Sequence, residues 1–161
     1  MSHAVTITRT TTTHSSTTSA IIINSGYMKT IPGLLKLAQL IIGGFCIFFL
    51  SWNFWSAYTR NTELFFLCMA VAFFIGTFCL LLSCLVSLST GGIISKTIYE
   101  LIYHSIAFIL YLIASILLMM KASDYRLSSS HPFMIASILG LINSALYLVS
   151  TFYAQRSYRG I

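Results

Sequence analysis

Four runs of about twenty apolar residues, at 34–54, 64–88, 98–120 and 132–154, constrain this chain more than any other feature. A helix needs about 20 apolar residues, rising about 1.5 Å each, to cross a hydrocarbon core of about 30 Å. The connections between the runs are short, so successive helices are antiparallel neighbours. A membrane β-barrel would show ten-residue segments of alternating polarity, and there are none. Composition excludes a soluble alternative. The chain is 57% hydrophobic and 7% charged, against roughly 25% charged in ordinary soluble domains. A soluble domain of 161 residues would still expose about a third of its unfolded surface. The expected fold is therefore all-α: an integral membrane four-helix antiparallel bundle.

Residues 1–29 read as a Thr/Ser-rich tail with too little apolar surface to order itself. Residues 30–156 form the four-span domain, and 157–161 a short tail. There is no signal peptide, because no apolar core precedes a cleavage site in the first 20 residues. The first span must serve as the insertion signal. Orientation follows from Lys and Arg in the short flanks. One side collects Arg9, Lys29, Lys36, Lys96, Arg156 and Arg159; the other has Arg60, Lys121 and Arg126. That split places both termini and the Gly91–Gly92 loop in the cytoplasm. Trp52, Trp55 and Tyr58 then form an aromatic belt at the outer surface. The net charge of +6 marks helix ends facing anionic head groups; the scattered basic residues make no stripe for nucleic acid.

Inside the spans, small residues point to close helix packing. Ala136, Gly140 and Ser144 follow one another at i, i+4, i+8, and Ala72 and Gly76 share that spacing. Gly43 and Gly44 permit close approach or a slight bend. Polar residues buried in lipid need partners. At the standard helical rise, Gln39, Ser83, His104 and Tyr147 each fall about 8–10 Å from the inner ends of their helices. One residue from each helix thus predicts a polar layer that fixes the bundle; at His104 a neutral histidine with one satisfied bond is the expectation, and a proton-sensitive switch the sharper alternative. Asn143 lies nearer mid-membrane and needs a partner of its own.

Lys96, Glu100 and His104 stand at i, i+4 spacing, which allows a Lys96–Glu100 pair at the inner interface. A carboxylate beside a histidine can do acid–base chemistry. Here no nucleophile or second carboxylate accompanies it, so an interfacial salt bridge is the expectation and no catalytic residue is assigned. The cysteines Cys46, Cys68, Cys79 and Cys84 sit in apolar runs, without metal-ligand spacing or a disulfide framework. No metal or cofactor is expected. Cys84, near the inner face, is the candidate for palmitoylation, against the plainer reading of a buried thiol.

The order and spacing of several motifs carry a family resemblance. Pro32-Gly33-Leu34-Leu35-Lys36-Leu37-Ala38-Gln39-Leu40 resembles the opening of the first helix in MARVEL-domain proteins. Tyr99-Glu100-Leu101-Ile102-Tyr103-His104-Ser105, leading to Leu110-Tyr111-Leu112-Ile113-Ala114-Ser115, resembles the third. Ala145-Leu146-Tyr147, then Gln155-Arg156-Ser157-Tyr158-Arg159-Gly160, is similar to the close of plasmolipin-like members. The resemblance covers about residues 30–160 and is nearest the MAL, plasmolipin and chemokine-like-factor branch. It implies a membrane-organising role: sorting cargo into cholesterol- and sphingolipid-rich regions, vesicle traffic, or apposition at junctions and in cell fusion. Claudins and tetraspanins have a longer, cysteine-bearing outer loop, which this chain lacks.

Two readings of function follow. The first is a non-enzymatic organiser whose partners are membrane lipids, membrane-protein cargo and further copies of itself, at the plasma membrane or on vesicles. The second is an accessory subunit escorting a receptor. A channel or transporter would need charged or broken helices near mid-membrane, and the spans do not carry them.

Overall fold

The computed structural model describes residues 25–54, 61–86, 98–124 and 131–160. A short 3-10 helix, Ser25–Lys29, precedes α1 (Ile31–Phe54). α2 spans Asn61–Val86, α3 Ile98–Asp124 and α4 His131–Arg159. All four α-helices are long and apolar enough to cross a bilayer. Each outruns its apolar core at one end or both, because helical hydrogen bonding continues into the polar interface. At about 1.5 Å per residue, the 29 residues of α4 reach about 43 Å, past the hydrocarbon and into the head groups on both sides. The proposed domain limit at 156 therefore falls within α4. Tail residues 1–24, the Gly91–Gly92 loop, Trp55, Tyr58, Arg60, Lys96 and Arg126 lie outside the described residues.

The helices form a closed ring: α1 packs on α2, α2 on α3, α3 most extensively on α4, and α4 on α1. They alternate in direction. Lys36 early in α1 pairs with Glu100 early in α3, and Ser150 and Ser157 late in α4 line the same cavity as both. Cys84, late in α2, lies beside Tyr27 at that end. Both chain ends of the described bundle therefore emerge together, at the terminal end of the bundle.

Local rules explain where the helices begin and stop. Thr30 caps α1: its hydroxyl accepts the Gly33 N–H at 3.3 Å and donates to the Tyr27 carbonyl at 2.7 Å. Pro32 sits in the first turn, where a missing N–H leaves no hydrogen bond unmade. A side chain at Gly33 would run into the Tyr27 carbonyl, so glycine lets the 3-10 turn fold back against the helix. The expected tail is thus ordered from residue 25 onward, because Tyr27 has a place in the bundle. Gly160, at φ 70°, closes α4 in the left-handed conformation that glycine adopts without penalty.

The core divides along the bundle axis. Towards the far end it is mainly apolar, with Cys46, Leu50, Phe66, Ala70, Leu118, Ala122, Phe133 and Ala136 buried; Glu63, Ser115 and Ser137 are the polar side chains buried there. Mid-bundle, Tyr111 stacks on Tyr147 at 5.7 Å between centroids, and Phe73 leans on both. Towards the terminal end the buried side chains turn polar.

Candidate functional site

Four helices and the 3-10 turn each deliver side chains to the terminal end. From α1 come Lys36 and Gln39, three residues apart and so on one face; both are 1% exposed. From α3 come Glu100 and His104, one turn apart and also buried. The Lys36 ammonium is ion-paired with Glu100 Oε1 and donates to the Tyr27 hydroxyl at 3.1 Å. His104 Nε2 lies 3.5 Å from the same carboxylate oxygen. Burial raises the Tyr27 phenol far above its ordinary range, with Cys84 and Glu100 adding to the effect.

One layer deeper, the Thr77 hydroxyl of α2 lies 3.0 Å from the Tyr103 hydroxyl and 2.7 Å from that of Tyr147. Tyr103 also donates to the Phe73 carbonyl at 3.1 Å. Beside this group, Gln39 donates to Ser150 Oγ at 2.7 Å. A cavity of about 170 Å³ opens between α1 and α4, lined by Tyr27, Lys36, Glu100, Ser150, Tyr153 and Ser157 among others.

The predicted polar layer is redistributed. His104 faces Tyr147, with ring centroids 5.8 Å apart. Gln39 is buried but bonds to Ser150, one turn further along α4 than Tyr147. Ser83 does not join: it is exposed and donates to the Cys79 carbonyl of its own helix at 2.8 Å. The inward face of α2 runs Phe66, Ala70, Phe73, Thr77, Leu80 and Cys84, steps of three and four that pass Ser83 by. Thr77 takes the place expected of it. Asn143 is buried near mid-membrane beside Tyr111, and among the described residues its amide makes no hydrogen bond of good geometry. Built onto Gly43, a Cβ would stand 3.7 Å from both Asn143 Nδ2 and the Tyr111 hydroxyl.

The packing residues divide similarly. Ala136, Gly140 and Ser144 are all buried. A Cβ on Gly140 would press into Ser115 and Phe66, and Ser144 donates to the Phe108 carbonyl of α3 at 3.2 Å. Gly76 abuts Tyr103, whose hydroxyl would lie 2.6 Å from an added Cβ. Ala72 is exposed, off the inward face for the same reason as Ser83. Gly43 and Gly44 have room for a methyl, with nearest atoms at 3.6–3.7 Å. They are not points of obligatory close approach. Cys84 is 2% exposed, so its thiol would have to leave the bundle to be acylated; Cys68 and Cys79 are the exposed thiols.

Sequence reading missed the partner of Glu100. Local spacing points to Lys96, which lies outside the described residues, and not to Lys36 on another helix. A signal was present: Lys36 is the sixth residue of α1, flanked by leucines, and the chain holds only three acidic residues. A cation and an anion inside two spans at one depth call for each other. Removing one partner of such a buried pair costs about 3–5 kcal/mol, although the intact pair contributes little net stability.

The geometry defines a class: a four-span membrane bundle whose polar side chains are turned inward on one another. Residues 27–153 match the MARVEL family, described as a membrane-associating domain, and the chain belongs to that family. Its domain occurs in four-span proteins involved in membrane apposition and vesicle traffic. No curated protein and no solved structure matches the chain.

Proposed function

We propose that this protein is a non-enzymatic organiser of membrane, of the MAL, plasmolipin and chemokine-like-factor type, with both termini in the cytoplasm. The observation that carries this reading is the outward surface of the bundle. Every helix presents lipid with a row of exposed apolar residues: Ile41, Phe45 and Phe48 on α1, Ile75, Phe78 and Leu82 on α2. On α3 the row is Ile102, Ile106, Ile109 and Ile113, and on α4 Ile135, Ile138 and Ile142. A surface of this kind works through the lipids and membrane proteins that pack against it. Cholesterol- and sphingolipid-rich membrane, vesicle cargo and further copies of the chain are the partners proposed, at the plasma membrane or on vesicles.

Reconstitution into giant vesicles with coexisting ordered and disordered phases tests the role. Enrichment in the sterol- and sphingolipid-rich phase is expected, with co-recruitment of cargo that excludes itself alone. Uniform distribution, together with co-purification of one stoichiometric membrane protein from native cells, would make the chain an escort subunit. Tags before Ser2 and after Ile161 should bind antibody only after permeabilisation; labelling of intact cells would reverse the orientation.

A further inference from the structure

The cavity at the terminal end is unusual for a lipid-facing crevice in being rich in donors. Lys36 has given one N–H to Glu100 and another to Tyr27, leaving a third. Ser150 Oγ accepts from Gln39 and keeps its own O–H to give. Tyr153 and Ser157, each carrying a hydroxyl, are among the residues lining the same space. The lining carboxylate, Glu100, already has Lys36 as its counter-ion. Charge runs the same way. Among the described residues at this end, Lys29, Lys36 and Arg159 outnumber the single acidic residue Glu100. Donors in excess, with cations in excess around them, select an anion carrying several acceptor oxygens.

Depth and lining narrow the source. Along α4 the cavity extends from Ser150 to Ser157, seven residues or about 10 Å, across the edge of the hydrocarbon into the head-group layer. Its remaining wall includes Pro32, Leu35 and Ala154, apolar surface suited to a glycerol backbone and the first methylenes of acyl chains. We propose that this cavity binds a phosphoryl anion, supplied by the head group of a net-anionic phospholipid entering between α1 and α4. The phosphoryl oxygens accept from Lys36 and the α4 hydroxyls. Lys29, next to lining residue Thr30, and Arg159, two residues past lining residue Ser157, favour net negative charge over a zwitterion. Such a site requires only a bundle in a bilayer and is independent of any sorting role.

The test is competitive binding to the purified full chain in neutral detergent, with short-chain phosphatidate, phosphatidylserine, phosphatidylcholine and inorganic phosphate at constant ionic strength. Phosphatidate and phosphatidylserine should bind at least about tenfold more tightly than phosphatidylcholine, a difference of about 1.4 kcal/mol, and inorganic phosphate should displace them poorly. Equal binding of phosphatidylcholine would overturn the charge selectivity, and displacement by inorganic phosphate at equal concentration would overturn the lipid source. Ala154→Leu, which fills the cavity without changing charge, should abolish the preference. Should that variant fail to fold, Ser157→Leu at the mouth and the exposed pair Lys29→Gln/Arg159→Gln serve instead, each expected to weaken anionic binding several-fold. Undiminished selectivity in the variants that fold would mean diffuse surface attraction and end the assignment of a site.

Discussion

The two halves of the bundle are held by different physics. Towards the far end, Leu50, Phe66, Leu118 and Phe133 fill space among small residues, and at those positions volume matters more than direction; Glu63 is the buried charged residue there. Towards the terminal end, Lys36, Gln39, Thr77, Glu100 and Tyr147 are directional, each tied to a named partner on another helix. In lipid, apolar packing cannot distinguish protein from solvent as it does in water. The far half can therefore tolerate exchange of shape, whereas the terminal half fixes which helix meets which, and in what register.

The largest break in that comparison should come from Lys36→Met. It leaves Glu100 buried without its counter-ion and should cost about 3–5 kcal/mol, read as lowered thermal stability or lost yield in detergent. Lys36→Met/Glu100→Met together should recover most of the loss. A double variant no better than the single would mean that the pair is structural through packing, not charge. In the far half, volume should matter instead. Gly140→Leu drives a side chain into Ser115 and Phe66 and should cost about 1–3 kcal/mol or more, exceeding Leu139→Ala on the neighbouring, partly buried position. Equal stability of these two variants would place the α3–α4 seam elsewhere.

Smaller effects sharpen the picture. A double-mutant cycle on Gln39→Leu and Ser150→Ala should show coupling near 0.6 kcal/mol, the average found for hydrogen bonds between membrane helices. The same cycle on Gln39 and His104 should be close to additive; strong coupling there would restore the single layer that the spacing suggested. Ser83→Ala, which removes only a bond within its own helix, should change stability by less than about 0.5 kcal/mol.

These cases show what the sequence could and could not disclose. Hydropathy alone placed four spans, since the length of an apolar run is a direct measure of bilayer thickness. Inward positions were legible where a stripe was long, as with Ala136, Gly140 and Ser144. They were not legible on α2, whose residues are apolar almost all round, so Ala72 and Ser83 carried no sign of the side they face. Depth along a helix could be estimated from residue number, and it brought His104 to the level of Tyr147. Rotation could not, so Gln39 was matched with the wrong turn of α4 and Thr77 was overlooked. Lys36 could not be matched with Glu100, because local spacing is visible in a sequence and the ring order of helices is not.

The Lys36–Glu100 contact joins residues 64 positions apart, and this bears on how the protein is made. The first span is delivered to the membrane with an ammonium whose carboxylate has not yet been synthesised. At about 5–20 residues per second of translation, the interval is about 3–13 s. During it the nascent helix is better held at the insertion machinery or with Lys36 reaching back to the interface than released into lipid. The arrival of the third span then supplies the counter-charge. Until α3 joins the bundle, Lys36 lacks the carboxylate that it meets in the folded protein.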